Sequence, residues 1–272
     1  MDARPPQVAV TSLAGRPGNR VLVVGPSLGT RVETLWGSAA ESLAERAGVH
    51  VVGWDLPGHG TSPTAAQRFS LAQLGEGVLD ALDALDRALE PTSREEAWLV
   101  AGDSVGGAVS LLLMLDHPER FAAGAVLCSS AKFGVPQGWA DRAALVRSEG
   151  MGPMVASAPG RWFGTRVADH PTDRSRSVVA ELHDVDPEGY AQVCDAIAGY
   201  DLTSELGRIR TPLLAVAGAD DVATPPEGMG ELAARVPGGR LRILPGVGHL
   251  APLEDPDGTA FLLEDHFQGV LS

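Results

Sequence analysis

Five short apolar runs recur along the chain, at 20–24, 49–54, 97–101, 122–128 and 213–217, each closed by Gly, Asp or Ser, and 241–244 reads as a further strand closed by Pro. Continuous runs of this length predict strands buried on both faces, the habit of a parallel sheet covered by helices. A weaker alternation over 8–13, followed by the turn Gly15 to Asn19, predicts an N-terminal hairpin strand. Between the runs the period changes. Residues 34–46 read as a helix. Ser70 and Gln73 form a capping box ahead of Leu71, Leu74, Val78, Leu82, Leu85 and Leu89, which share one helical face. Residues 108–115 are apolar almost throughout, as in a helix buried on most sides, and 227–236 and the stretch opened by Asp255-Pro256 predict two more helices.

Strand and helix alternate except between about 129 and 203, where aromatics, arginines, prolines and short helical pieces take over. The order implies an α/β fold: a mostly parallel, doubly wound sheet formed by 1–130 and 204–272, carrying an inserted helical cap at 131–203. Ligands in such sheets sit beyond the C-terminal strand ends, here under the cap.

Composition narrows the class. The 272 residues are 44% hydrophobic and 21% charged, enough for a substantial globular core. The longest apolar run is far shorter than the ~20 residues of a membrane span, and the first residues lack a basic start and long apolar core, so a cytoplasmic location is expected. Cys128 and Cys194 lack metal-ligand spacing and read as reduced structural thiols. A net charge of −14 argues against nucleic acid or an anionic membrane as partner and requires a local basic pocket for any anionic substrate. Self-association is left open.

The chemistry gathers at Gly102-Asp103-Ser104-Val105-Gly106, where the 97–101 strand runs into the apolar helix. Strand, tight turn and helix around such a serine form a nucleophile elbow, which lifts the hydroxyl clear of the sheet at a helix N-terminus. Gly102 and Gly106 are expected to permit the sharp turn and the close approach of strand and helix. The alternative is a Gly/Ser turn without chemistry. A serine nucleophile needs a base and a group that orients the base, following it in chain order in this architecture. Of seven histidines, His50, His117 and His266 fall within regular elements, His170 and His183 in the insertion, and His59 in a Gly-rich turn before the serine. His249 remains, in the loop directly after a strand. Two neighbouring carboxylates, Asp220 and Asp221, follow the 213–217 strand. Only one can face the histidine, and the spacing Gly-x-x-Asp-x-x-x-Pro favours Asp221, leaving Asp220 as a solvated turn residue or cap. The amides of Val105 and Leu28 are the expected oxyanion donors.

Asp55-Leu56-Pro57-Gly58-His59-Gly60, the Ser104 pentapeptide and Gly248-His249 together resemble the α/β-hydrolase superfamily. Three further stretches resemble one family within it, the 3-oxoadipate enol-lactonases. They are Ser27-Leu28-Gly29-Thr30 ahead of Trp36; the insertion, with Ala131 to Gly134, Trp139, Arg142, Val146-Arg147, Arg161-Trp162-Phe163 and Pro187 to Tyr190; and Ala217 to Asp221 with Ala223 to Pro226. One departure is Pro26, where that family often has asparagine; proline brings neither an amide hydrogen nor a side-chain amide.

The resemblance implies hydrolysis of 3-oxoadipate enol-lactone to 3-oxoadipate by Ser104, His249 and Asp221, with no metal or cofactor. The substrate is then a small anionic lactone. Arg142, Arg147, Arg161 and Lys132 are the cations available for its carboxylate, Arg161 and Arg142 foremost, and Trp139 and Trp162 are candidate pocket walls. The alternatives are a broader carboxylesterase or lactonase, since fold does not fix substrate, and a ligand-binding protein without turnover, against which the full set of three residues argues.

Overall fold

The computed structural model describes residues 4–88 and 97–271. Its strands are β1 (Val10–Ala14), β2 (Val21–Gly25), β3 (His50–Trp54), β4 (Trp98–Asp103), β5 (Phe121–Leu127), β6 (Leu213–Gly218) and β7 (Arg240–Leu244). The helices are α1 (Val32–Ala47), α2 (Leu71–Ala88), α3 (Val105–Asp116), α4 (Pro136–Glu149), α5 (Gly152–Trp162), α6 (Thr165–Ala168), α7 (Asp173–Glu181), α8 (Pro187–Ala198), α9 (Pro226–Arg235), α10 (Ala251–Glu254) and α11 (Pro256–Leu271).

The seven strands form one sheet in the order β1-β3-β2-β4-β5-β6-β7, parallel at every pairing except β1 with β3. Every residue of β2, β3, β4 and β6 is buried, as continuous apolar runs require. Edge strand β7 instead turns Arg240 and Arg242 outward, which discourages pairing with another chain.

The expected N-terminal hairpin does not form. β1 pairs antiparallel with β3, Val10 opposite Trp54, rather than with the next strand. Both edges of β2 are occupied by the buried parallel strands β3 and β4. β1, partly exposed along its length, goes to the sheet edge, where one half-solvated side is tolerated. In α2 the Ser70–Gln73 box closes in both directions, at 3.2 Å and 2.9 Å, and Leu71, Leu74, Val78 and Leu82 are buried. Leu89 lies outside the described residues. Among the described residues, no helix is long and apolar enough to cross a membrane.

After β2 the chain crosses to β3 on one side and returns to β4 on the other, so β2 and β4 flank the switch point where a doubly wound sheet binds ligands. Gly25 and Gly102, the last residues paired between these two strands, lie side by side there. Between β5 and β6 the chain leaves the sheet and builds α4 to α8. Leu202 N donates to Ala131 O at 2.8 Å, closing the neck of this insertion. Its α8 docks on the sheet domain by backbone contact: Asp186 N donates to Gly58 O at 2.9 Å, and a Cβ on Gly58 would lie 2.7 Å from Gly189 Cα.

Candidate active site

Ser104 stands alone between β4 and α3 with φ 53° and ψ −117°. Such a backbone costs a non-glycine residue about 1–3 kcal/mol and persists only where its surroundings impose it. Ser104 N donates to Leu127 O at 2.8 Å, and Ser129 Oγ donates to Ser104 O at 2.6 Å. The flanking glycines serve approach rather than turning, since neither has positive φ. A Cβ on Gly102 would lie 2.2 Å from Gly106 C, and one on Gly106 would lie 2.5 Å from Gly25 C. The serine itself takes the turn.

Three side chains remote in sequence meet above the elbow. His249 Nε2 lies 2.9 Å from Ser104 Oγ, and His249 Nδ1 lies 2.9 Å from Asp221 Oδ2. Asp221 is fixed by more than the histidine. Its Oδ2 also accepts from Thr224 Oγ1 at 2.6 Å, and its Oδ1 accepts from the amides of Ala223 at 2.8 Å and Thr224 at 3.0 Å. Burial works to raise its pKa, but the histidine and these donors outweigh it and hold the carboxyl below the ordinary aspartate range. Asp221 is therefore ionised at neutral pH. Asp220 points elsewhere: its Oδ2 accepts from Thr165 N at 2.9 Å and Thr165 Oγ1 at 2.6 Å, capping α6. Asp220 thus serves as a helix cap, and Asp221 alone of the pair faces the histidine.

Leu28 and Val105 lie on either side of the switch point. Among the described residues neither amide donates a hydrogen bond to the protein, which leaves both free for an oxyanion. The loop bearing Leu28 is tightly held. Pro26, lacking N–H, accepts at its carbonyl from Gly106 N at 2.9 Å, so the proline does not weaken the junction with α3. Gly29, at φ 89°, donates its amide to His59 Nε2 at 3.2 Å, while His59 Nδ1 lies 3.0 Å from Pro57 O. These contacts require neutral His59 with its proton on Nδ1, and burial lowers its pKa to about 4. His59 thus steadies the oxyanion loop without reaching the serine.

Ser104 and His249 open into a cavity of about 390 Å³ roofed by the insertion. Trp139, Arg142, Arg161 and Trp162 all line it, with Phe133 and Tyr190, and among the described residues no Asp or Glu does. The Arg142 guanidinium sits 4.5 Å from the centroid of the Trp139 ring. Arg161 Nε is buried without a partner, and burial followed by the nearby Arg142 charge lowers its pKa. Two cations face one pocket with no acid between them. Arg147 and Lys132 do not join them: Arg147 is paired with Glu188 and Asp195 between α4 and α8, and Lys132 with Asp201.

Sequence reasoning passed over His59, Thr224 and Glu254. Thr224 lies in the loop already marked by Asp221, but nothing in the spacing shows which hydroxyl turns inward. Asp103 is fully buried beside the nucleophile. Burial first, then the charges of Asp221 and Glu254, push its carboxyl well above the ordinary range.

Comparisons with known proteins identify the family to which this chain belongs. Residues 36–256 match the family described as serine aminopeptidase, S33. The 3-oxoadipate enol-lactonase 2 of Acinetobacter baylyi is 30% identical over 250 residues, 92% of this chain and 89% of its own. A pimeloyl-[acyl-carrier protein] methyl ester esterase of Neisseria meningitidis is 28% identical over 233 residues, 80% of this chain and 68% of its own. The crystal structure of the enol-lactonase from Burkholderia xenovorans LB400 superposes with a TM-score of 0.83 at 29% identity, covering 96% of each chain. With its sheet order, serine elbow and these matches, the chain belongs to the α/β-hydrolase family, with the 3-oxoadipate enol-lactonases among its relatives.

Proposed function

We propose that this hydrolase opens a small carboxylate-bearing enol-lactone, 3-oxoadipate enol-lactone before others, through an acyl-enzyme on Ser104. The observation that carries the reading is the Asp221–His249–Ser104 relay beneath a pocket holding two arginines and no acid. The enol-lactonases among its relatives support the choice of lactone.

In this mechanism His249 Nε2 takes the Ser104 proton as Oγ attacks the lactone carbonyl. Asp221 keeps the remaining imidazole proton on Nδ1 and stabilises the cation. Negative charge on the former carbonyl oxygen falls to the amides of Leu28 and Val105, a pair of donors each commonly contributing about 3 kcal/mol to such transition states. Collapse breaks the ring C–O bond and expels an enolate, which picks up a proton and tautomerises to the ketone. The opened chain remains esterified to Ser104. His249 then removes a proton from water, which attacks the ester and frees the second carboxylate. Arg161 and Arg142 receive the carboxylate that the substrate carries throughout, and Trp139 and Trp162 wall its carbon chain.

The decisive experiment mixes purified protein with the enol-lactone and follows its ultraviolet absorbance. Rapid loss that vanishes in Ser104→Ala is the expected result; absence of turnover by the wild type refutes the substrate. A broader esterase is the second reading, favoured by the exposed Val135 and Val222 that also line the pocket. Equal kcat/KM on uncharged aryl esters and on the lactone would decide for it.

A further inference from the structure

The loop that carries His249 presents the imidazole within hydrogen-bond range on both sides, and one buried carboxylate binds the backbone on both flanks of that residue. Glu254, in α10 and only 6% exposed, directs Oε1 to the amides of Gly248 at 3.0 Å and Leu250 at 3.2 Å, the two residues that flank His249 in the chain. Its Oε2 accepts from Gly164 N at 2.8 Å, in the insertion at the link between α5 and α6. The amide of His249 itself donates to Trp162 O at 2.8 Å, and Arg166 N donates to Gly246 O at 3.1 Å. The two backbones run in direct contact: a Cβ on Gly248 would lie 2.4 Å from Gly164 N, and one on Gly164 would lie 2.6 Å from Gly248 N.

We propose that Glu254 is the positioning residue of the catalytic histidine, binding the amides on both sides of His249 and a cap amide in one carboxylate. The inference rests on the reading of Ser104 and His249 as nucleophile and base. It adds that the base is held from behind and registered to the cap that selects the substrate. Three buried amides converge on two oxygens, so only a group that accepts at both ends completes the set. Water would satisfy one or two of these donors without linking the segments. A shorter Asp cannot span them, because the carboxyl would withdraw by one methylene. Gln keeps the shape but turns an NH2 toward one of the amides, donor against donor.

The role acts through His249, so its loss falls on turnover. Displacing the imidazole by a fraction of an ångström to 1 Å spoils both the Ser104 and the Asp221 contacts, and misplacement on that scale costs on the order of 100-fold. Substrate contacts on the cap arginines remain. The test compares wild type, Glu254→Gln, Glu254→Asp and Ser104→Ala on p-nitrophenyl acetate, an activated ester that makes no use of the arginines, with active sites counted by the nitrophenolate burst. For Glu254→Gln the expected result is a kcat per active site down about 10- to 100-fold, KM within about threefold, and no recovery in Glu254→Asp. A kcat equal to wild type in Glu254→Gln overturns the clamp while the triad stands. Wild-type kcat in Ser104→Ala overturns the triad and the clamp with it. A measurement on the wild type covers variants that fail to fold. Hydrogen exchange followed by NMR should find the Gly164, Gly248 and Leu250 amides protected together, and fast exchange at Gly248 and Leu250 overturns the proposal.

Discussion

Replacing Asp221 by Asn separates the orienting carboxylate from its neighbour Asp220 and tests the relay at one atom. The surroundings dictate how the new amide sits. Oδ1 accepts two backbone N–H groups, from Ala223 and Thr224, so an NH2 there would meet two donors. The amide oxygen must take that place, which puts the NH2 where Oδ2 now faces His249 Nδ1 and Thr224 Oγ1. A donor at that point forces the imidazole proton onto Nε2, which then donates to Ser104 instead of accepting from it. The base is lost although every atom keeps its place, and the negative charge that stabilises the imidazolium is lost with it. The same change in another Ser-His-Asp enzyme lowers kcat about 10⁴-fold, and 10³- to 10⁴-fold corresponds to roughly 4–5.5 kcal/mol of transition-state stabilisation. The assay is kcat on an activated ester and on the enol-lactone at neutral pH, with Asp220→Asn as the control. Asp220→Asn removes only the contact to Thr165 and should stay within about twofold of wild type. An Asp221→Asn enzyme within tenfold of wild type, or a larger loss in Asp220→Asn, would refute the reasoning.

Arg161→Leu should raise KM for the anionic lactone about 10- to 100-fold, the worth of one charge-assisted hydrogen bond, and leave p-nitrophenyl acetate unchanged; parallel losses on both substrates would count against an anion site. Gly106→Ala drives a Cβ to 2.5 Å from Gly25 C, a backbone atom that cannot swing aside, so it should cost about 3 kcal/mol and lower Tm by roughly 6–12 °C in a calorimetric scan. His59 is neutral when folded, with its pKa lowered from 6.5 to about 4. The unfolded chain therefore binds the extra proton first, and stability falls as pH drops from 6.5 toward 4, by about 3 kcal/mol from this group. Urea unfolding at pH 7 and pH 4.5 should show a smaller difference in His59→Gln than in the wild type.

The apolar runs and their closing residues determined the class of the molecule without any structure. A run buried on both faces belongs only inside a parallel sheet, and a glycine-flanked serine between such a run and an apolar helix has few other uses. His249 and Asp221 were legible for a similar reason: each sits in a loop straight after a strand, β7 and β6, and such loops meet at one end of the sheet. Local sequence carries period and turn chemistry, which is why these features could be read.

Contacts between distant segments carry no such mark. The placement of β1 beside β3 depended on which sheet edges stayed vacant, something only the assembled sheet decides. Gly102 and Gly106 read as formers of both the turn and the close strand–helix approach; the fold uses them for the approach and leaves the strained angle to Ser104. Of four candidate cap cations, Arg142 and Arg161 turn into the cavity, while Arg147 meets acids between α4 and α8 and Lys132 meets Asp201 between loops, a division set by how the cap packs. Glu254 is the fullest case. In sequence it is one acid before a helix; in three dimensions it joins the histidine loop to the cap, because three backbone amides from the two segments donate to its carboxyl oxygens.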